Sequence, residues 1–101
     1  NDKNYQAAIP MLQQYLATDS TDTETRLAYY ASLIETGNYA EAMQGLEKIA
    51  TTENVFTYQA KWYTALCLLK QDKKENCKAV LLTIPEGTDT YKQAHELLGA
   101  L

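Results

Sequence analysis

The stretch Glu35-Thr36-Gly37-Asn38-Tyr39-Ala40-Glu41-Ala42 ends one amphipathic helix and begins another. Gly37 can adopt the left-handed backbone conformation that closes a helix without a steric penalty. Asn38 and Glu41, three residues apart, form a capping pair for the helix that follows. The stretch therefore predicts two helices joined by a very short turn.

The same pattern occurs earlier in the chain and indicates a repeat. Three positions recur at a spacing of 34 residues: Tyr5 and Tyr39, Ala8 and Ala42, and Leu12 and Leu46. A period of this length is typical of arrays of stacked helical units, in which each unit buries its apolar face against its neighbours. We therefore expect an array of short helices.

Composition agrees with one helical domain. The chain has 101 residues, 46% of them hydrophobic, and only four glycines and two prolines interrupt it. No apolar run approaches the ~20 residues that a membrane-spanning helix needs, and no signal peptide is visible, so we expect no membrane insertion by this segment. The chain begins at Asn1 without a methionine, and we expect it to be part of a longer protein.

The charge argues against a nucleic-acid partner. Thirteen acidic and nine basic residues leave a net charge of −4, whereas affinity for phosphates depends on Lys and Arg. A locally basic stretch lies between Lys70 and Lys78, but Asp72 and Glu75 lie within it, so it is interpreted as the solvated end of a helix. A protein or peptide is therefore the expected partner.

The candidate catalytic side chains are few. Cys67 and Cys77 are ten residues apart on predicted separate helices, without the close spacing of a zinc site. They are either two small buried thiols or, if their helices pack side by side, a disulfide. A cysteine-dependent enzyme would need one of them exposed beside His95, the one histidine. We expect no enzyme and no cofactor, with the cysteine enzyme as an alternative.

Apolar spacing and capping residues predict six helices along the chain. Their predicted positions are residues 4–17, 22–36, 39–50, a fourth after Asn54 that ends near Leu69 or Gln71, a fifth that ends at Pro85, and a sixth from Thr88.

Three local features refine these helices. We expect Pro10 to bend the first helix and not to end it, because it removes one backbone hydrogen bond while the apolar stripe continues past it. Thr21 and Glu24 form a capping box for the second helix. Asp72 and Glu75 cap the fifth helix in the same way.

The hinge resembles the tetratricopeptide repeat, a 34-residue helix-turn-helix unit. The stretch Gly37-Asn38-Tyr39-Ala40-Glu41-Ala42 with Leu46 matches the signature closely. One unit later, 35 residues on, three signature residues are replaced and one is kept: Asp72, Lys74 and Cys77 are the replacements, and Leu81 is kept. The resemblance implies an all-α fold, a right-handed αα-superhelix of about six antiparallel helices.

The resemblance divides the single domain, 1–101, into four parts. Residues 1–20 are a half repeat, 21–54 and 55–87 are full repeats, and 88–101 are a capping helix. The stretch from Ala60 to Lys70, followed by Tyr91, Ala94 and Leu97, resembles repeat proteins of the Bacteroidetes. That similarity implies the soluble part of a membrane-anchored bacterial envelope protein.

The family resemblance also implies a binding face, because the first helix of each unit lines the concave side. The implied residues are Glu24, Leu27, Ala31, Ile34, Glu35, Gln59, Trp62, Leu66, Leu69 and Lys70. This mostly apolar groove with a charged end suits an apolar peptide or an amphipathic helix. Leu27, Ala31 and Tyr63 stand where the chaperone-tail branch of the family has carboxylate-clamp residues, which excludes that partner class.

A second interpretation of the same face needs no foreign ligand. Trp62, Leu66 and Leu69 can instead pack against a neighbouring helix of the same fold, because apolar stripes at helical spacing are often core. The face would then serve self-association, as in a homodimer, or docking within the parent chain.

Overall fold

The computed structural model describes residues 2–19 and 21–101, and over these residues it contains helices and turns but no strand. The six helices are α1 (Asp2–Thr18), α2 (Thr23–Glu35), α3 (Tyr39–Thr51), α4 (Thr57–Lys70), α5 (Lys74–Leu81) and α6 (Tyr91–Ala100). Each helix packs against the next one in the chain, and α2 also contacts α4. This arrangement confirms the predicted all-α superhelix.

The apolar side chains form two clusters. The first is built on α2 and α3 and includes Leu33, Leu46 and Ile49, with α1 packed against it. The second joins α4, α5 and α6 and includes Leu81 and Ala94. Helix α4 contributes buried side chains to both clusters, as expected for a central helix.

The turn after α2 is a Schellman motif closed by Gly37. The backbone of Gly37 has a φ of 87°. Its N–H donates to the Ile34 carbonyl over 3.2 Å, and the Asn38 N–H donates to the Leu33 carbonyl over 2.8 Å. These two bonds satisfy carbonyls that the helix end leaves free.

The turn after α4 has the same geometry without a glycine. Asp72 takes the left-handed position with a φ of 62°. Its N–H donates to the Leu69 carbonyl over 3.0 Å, and the Lys73 N–H donates to the Leu68 carbonyl over 2.9 Å. The 35-residue repeat is therefore kept in backbone structure where the signature glycine is lost.

The predicted capping box of α2 is wrong by one residue. Asp22, rather than Thr21, is the N-cap, and its carboxylate accepts the Thr25 N–H over 3.2 Å. Thr21 instead donates its hydroxyl to Asp19 over 2.6 Å, and Glu24 is exposed. Asp22 has the extended backbone of an N-cap residue, which allows its side chain to reach the third helical amide.

The capping pairs predicted for α3 and α5 are also wrong. The Asn38 amide donates to the Thr36 hydroxyl, and Glu41 accepts a hydrogen bond from the buried Tyr29. At α5 the N-cap is Lys73, without a side-chain cap, and Glu75 pairs with Lys78 at 3.5 Å. Other partners within reach compete successfully for these polar side chains.

The connection between α5 and α6 is bonded to α4. The Thr90 hydroxyl donates to the Tyr58 carbonyl over 2.9 Å, and the Gln59 amide donates to Asp89 over 2.8 Å. Consequently α6 begins at Tyr91, three residues after the predicted start. At the other end of the chain, α1 continues through Pro10.

Candidate functional site

The ten residues predicted for the concave face lie on α2 and α4, and the structure divides them by burial. Leu27 and Ile34 are only 4% and 3% exposed and belong to the first cluster. Their side chains therefore contribute to the core. The other eight reach the surface at least in part: Glu24, Ala31, Glu35, Gln59, Trp62, Leu66, Leu69 and Lys70.

The three apolar side chains that α4 supplies to this face are not equivalent. Trp62 and Leu69 pack against the second cluster. Leu66 is half-buried and, among the described residues, is absent from the side chains of either cluster, as is Ala31 on α2. Packing within the fold thus accounts for the apolar side chains of Trp62 and Leu69. It does not account for the apolar side chain of Leu66.

The charged end of the face is an ion pair between the two helices. Lys70 Nζ lies 3.3 Å from Glu35 Oε2, and both side chains are partly exposed. An ion pair in this setting stabilises the fold little, because water and salt screen it. It does hold the ends of α2 and α4 in register and leaves this end of the face without net charge.

The opposite end of the face opens into a cavity of about 350 Å³ between α4 and the start of α6. The lining residues are Gln59, Trp62, Tyr63, Asp89, Thr90 and Gln93. Gln59 donates to Asp89 across this cavity, so the wall combines an aromatic ring with polar groups that can still accept a hydrogen bond.

A larger groove of about 410 Å³ lies where α3 and α5 diverge over α4. Its lining residues are Met43, Glu47, Ala50, Lys61, Thr64, Ala79, Val80 and Thr83. Sequence reasoning missed this groove, because the spacing of apolar residues along one helix does not show the space left between Met43 on α3 and Val80 on α5. The available signal was the small size of Ala50, Thr64 and Ala79, which leaves space between the helices.

The thiols lie away from any reactive surface. Cys67 and Cys77 are both free and fully buried, which confirms the interpretation as buried thiols over that as a disulfide. Burial raises the pKa of each thiol above its ordinary value, so the reactive thiolate is disfavoured. His95 is exposed on α6 and stacks on Tyr91. These positions give the cysteine-enzyme alternative no support.

The described part of the chain contains neither a metal-binding cluster nor a membrane-spanning helix. Among the side chains that the structure describes, those of residues 4–19 and 21–101, no three His, Cys, Asp or Glu are grouped so that they could hold a metal ion. In the same part of the chain, every helix is too short or too polar to cross a bilayer.

The family model of the tetratricopeptide repeat matches residues 2–61, which is more than half of the chain. The chain belongs to the tetratricopeptide repeat family. The match covers α1, α2, α3 and the start of α4, and the second Schellman turn carries the repeat geometry beyond it. No curated protein and no solved structure matches the chain. Tetratricopeptide repeats in general mediate protein–protein interaction and are typically non-enzymatic scaffolds.

Proposed function

We propose that this tetratricopeptide repeat protein binds an apolar peptide or helix on the face formed by α2 and α4. The observation that carries the proposal is Leu66, a partly exposed leucine outside both core clusters, on helix α4, which contacts α2. Apolar surface of this kind gains free energy when a partner covers it.

The two ends of the face supply polar contacts that would orient the partner. The Glu35–Lys70 pair lies at one end, and the cavity beside Trp62 and Gln59 lies at the other. An apolar centre with a polar rim is the usual anatomy of a protein-binding surface, and an aromatic side chain near it supplies much of the affinity. We expect a neutral or weakly charged partner, because the charged end is already paired.

The test is selection of peptides from a displayed library on the wild-type protein, followed by affinity measurement by calorimetry. Leu66→Asp should weaken binding of the selected peptides at least about tenfold, because it places a charge at the centre of the apolar contact. Val55→Asp is the matched control, since Val55 is 81% exposed and precedes α4. Equal affinity of the wild type and both variants would reject the proposed face.

The competing function is packing within the fold or self-association of the same face. It is supported by Trp62 and Leu69, which already pack against the second cluster. In that case Trp62→Ala should destabilise the monomer or a dimer, and peptide selection on the wild type should yield no sequence whose affinity depends on Leu66.

The proposed division into a half repeat (1–20), two repeats (21–54 and 55–87) and a capping helix (88–101) is supported by the equivalent turns at Gly37 and Asp72. A place in the soluble part of a membrane-anchored bacterial envelope protein is supported only by the resemblance around Trp62. Detection of the parent protein in the membrane fraction of its host would test that placement.

A further inference from the structure

We propose that the cavity between α4 and the start of α6 binds the side chain of an arginine in the partner peptide. The arginine belongs to the same peptide that the face of α2 and α4 is proposed to bind, so this assignment rests on the proposed function. The cavity has a volume of about 350 Å³, which exceeds that of one side chain. Its lining combines two aromatic rings, Trp62 and Tyr63, with the carboxylate of Asp89.

Asp89 gives the cavity a negative charge that the fold does not neutralise. It is the one charged residue among the described side chains that line the cavity. Within the described part of the chain, Asp89 forms no ion pair. At the opposite end of the face, by contrast, Glu35 is already paired with Lys70. Charge complementarity therefore favours a cationic group as the occupant of the cavity.

The carboxylate of Asp89 is held in place before any partner binds. Gln59 Nε2 donates to Asp89 Oδ2 over 2.8 Å, whereas Oδ1 accepts no hydrogen bond from a described residue. The next residue, Thr90, is 5% exposed and donates its hydroxyl to the Tyr58 carbonyl, which ties this connection to α4. The lone pairs of Oδ1 are therefore positioned for a ligand, and this lowers the ordering cost of binding.

The two aromatic rings are fixed by packing against different parts of the core. Trp62 packs against the second cluster, and Tyr63 packs against the first. Both side chains remain partly exposed and line the cavity. A cation beside a Trp or Tyr ring is attracted by the quadrupole of the ring. The cavity therefore offers a cation two fixed aromatic walls in addition to the carboxylate.

The hydrogen-bond acceptors of the lining favour arginine over lysine. Oxygen acceptors are present on four of the lining side chains: Gln59, Tyr63, Asp89 and Gln93. A guanidinium group presents five N–H donors in one plane and stacks on aromatic rings, whereas an ammonium group presents three donors and is more strongly hydrated. A flat cation with many donors therefore matches this lining better than a compact one.

The distance from the cavity to Leu66 sets the spacing within the peptide. Gln59 and Leu66 are seven residues apart on α4, which corresponds to about 10 Å along the helix. An arginine in the cavity and an apolar residue on Leu66 would therefore be about two turns apart in a helical peptide, or about three residues apart in an extended one. Such a peptide is weakly charged, as the paired Glu35 and Lys70 lead us to expect.

The first test uses an arginine side chain without the rest of the peptide. Nα-acetyl-arginine N-methylamide is titrated into the isotope-labelled wild-type protein, and the indole N–H resonance of Trp62 is followed by NMR. Trp62 is the one tryptophan of the chain, so this resonance is unambiguous. It should shift and reach saturation. The citrulline analogue, in which a neutral urea replaces the guanidinium, should bind at least about tenfold more weakly.

Asp89→Asn removes the charge and keeps an oxygen that can accept the hydrogen bond from Gln59. It should weaken binding of the arginine compound at least about tenfold. Glu86→Gln is the matched control, since Glu86 is exposed, does not line the cavity and changes the net charge equally. Circular dichroism checks that both variants fold. An unshifted indole resonance, equal binding of the citrulline analogue, or equal affinities of the two variants would overturn the proposal.

A second test separates the arginine site from the proposed function. Among peptides selected on the wild type, Leu66→Asp should weaken all, whereas Asp89→Asn should weaken only those that contain arginine. Leu66→Ala should leave the affinity for the arginine compound unchanged. Loss of peptide binding on Leu66→Asp without any effect of Asp89→Asn would reject the arginine site and retain the proposed face. Binding of the arginine compound without any peptide that depends on Leu66 would reject the proposed face and support the site.

Discussion

Gly45 of α3 lies so close to the ring of Tyr30 on α2 that a Cβ there would overlap the ring. Gly45→Ala should raise helix propensity and yet lower the free energy of unfolding by about 1 to 3 kcal/mol, because the added methyl group overlaps the ring. Urea unfolding measures the change.

The double variant Gly45→Ala/Tyr30→Ala separates the clash from other effects. With the ring removed, the added methyl group should no longer destabilise, so the two substitutions should not be additive. Additive free energies would contradict the close packing at this point. Gly99→Ala is the matched control, since Gly99 is helical and has open space, and it should stabilise the protein.

Asp72 holds a left-handed conformation that costs a residue with a side chain about 1 kcal/mol relative to glycine. Asp72→Gly should therefore increase the free energy of unfolding by up to about 1 kcal/mol. The gain is reduced by the conformational entropy that glycine adds to the unfolded chain. Gly37→Ala, at the equivalent turn, should decrease the free energy of unfolding, because alanine would have to adopt the left-handed conformation. A decrease in the free energy of unfolding on Asp72→Gly would show that the aspartate side chain stabilises the fold by more than its backbone conformation costs.

At the scale of the element, the cap of α2 predicts how stability depends on pH. Hydrogen bonds from the backbone and then the side chain of Thr25 lower the pKa of Asp22 from its ordinary value of 3.8. A carboxyl group with a lowered folded-state pKa contributes fully above its unfolded pKa and loses that contribution as the pH falls through the folded-state pKa.

Asp22→Asn isolates this effect, because asparagine caps a helix but does not titrate. The variant should lose less stability than the wild type between about pH 5 and pH 2, where carboxyl groups of this kind titrate. Thermal unfolding at several pH values provides the measurement. Parallel curves for the two proteins would mean that Asp22 titrates alike in the folded and unfolded chains.

At the scale of the whole molecule, the two clusters predict two regions of different local stability. Leu81, 1% exposed, belongs to the second cluster, and Leu81→Ala should cost about 2 to 5 kcal/mol through the cavity it leaves. Hydrogen exchange should then accelerate most in α5 and α6 and least in α1, α2 and α3.

Leu46→Ala is the matched substitution in the first cluster, because Leu46 is also fully buried. Leu46→Ala should accelerate hydrogen exchange most in α2 and α3 and least in α5 and α6. Equal acceleration throughout for both variants would show that α4, which contributes to both clusters, couples them into one cooperative unit.

Helix α4 shows how far the sequence could predict the candidate site. The family resemblance implied that Trp62, Leu66 and Leu69 share the concave face, and their helical spacing agrees with that, since spacing along a helix is a local property. It could not show that Trp62 and Leu69 pack against the second cluster while Leu66 does not. That difference arises from contacts with residues far away in the chain. The groove beside Val80 was missed for the same reason, because it is an empty space between three helices.

The sequence by itself determined the number and order of the helices, their repeat register and the turn at Gly37, because helix periodicity and the freedom of glycine act within a few residues. Tertiary structure decided that Leu27 and Ile34 are buried, that Asp72 closes a left-handed turn, and that Glu41 bonds to Tyr29 instead of capping a helix. Burial and competition among polar partners depend on which helices meet in space, and the spacing of residues along one helix does not contain that information.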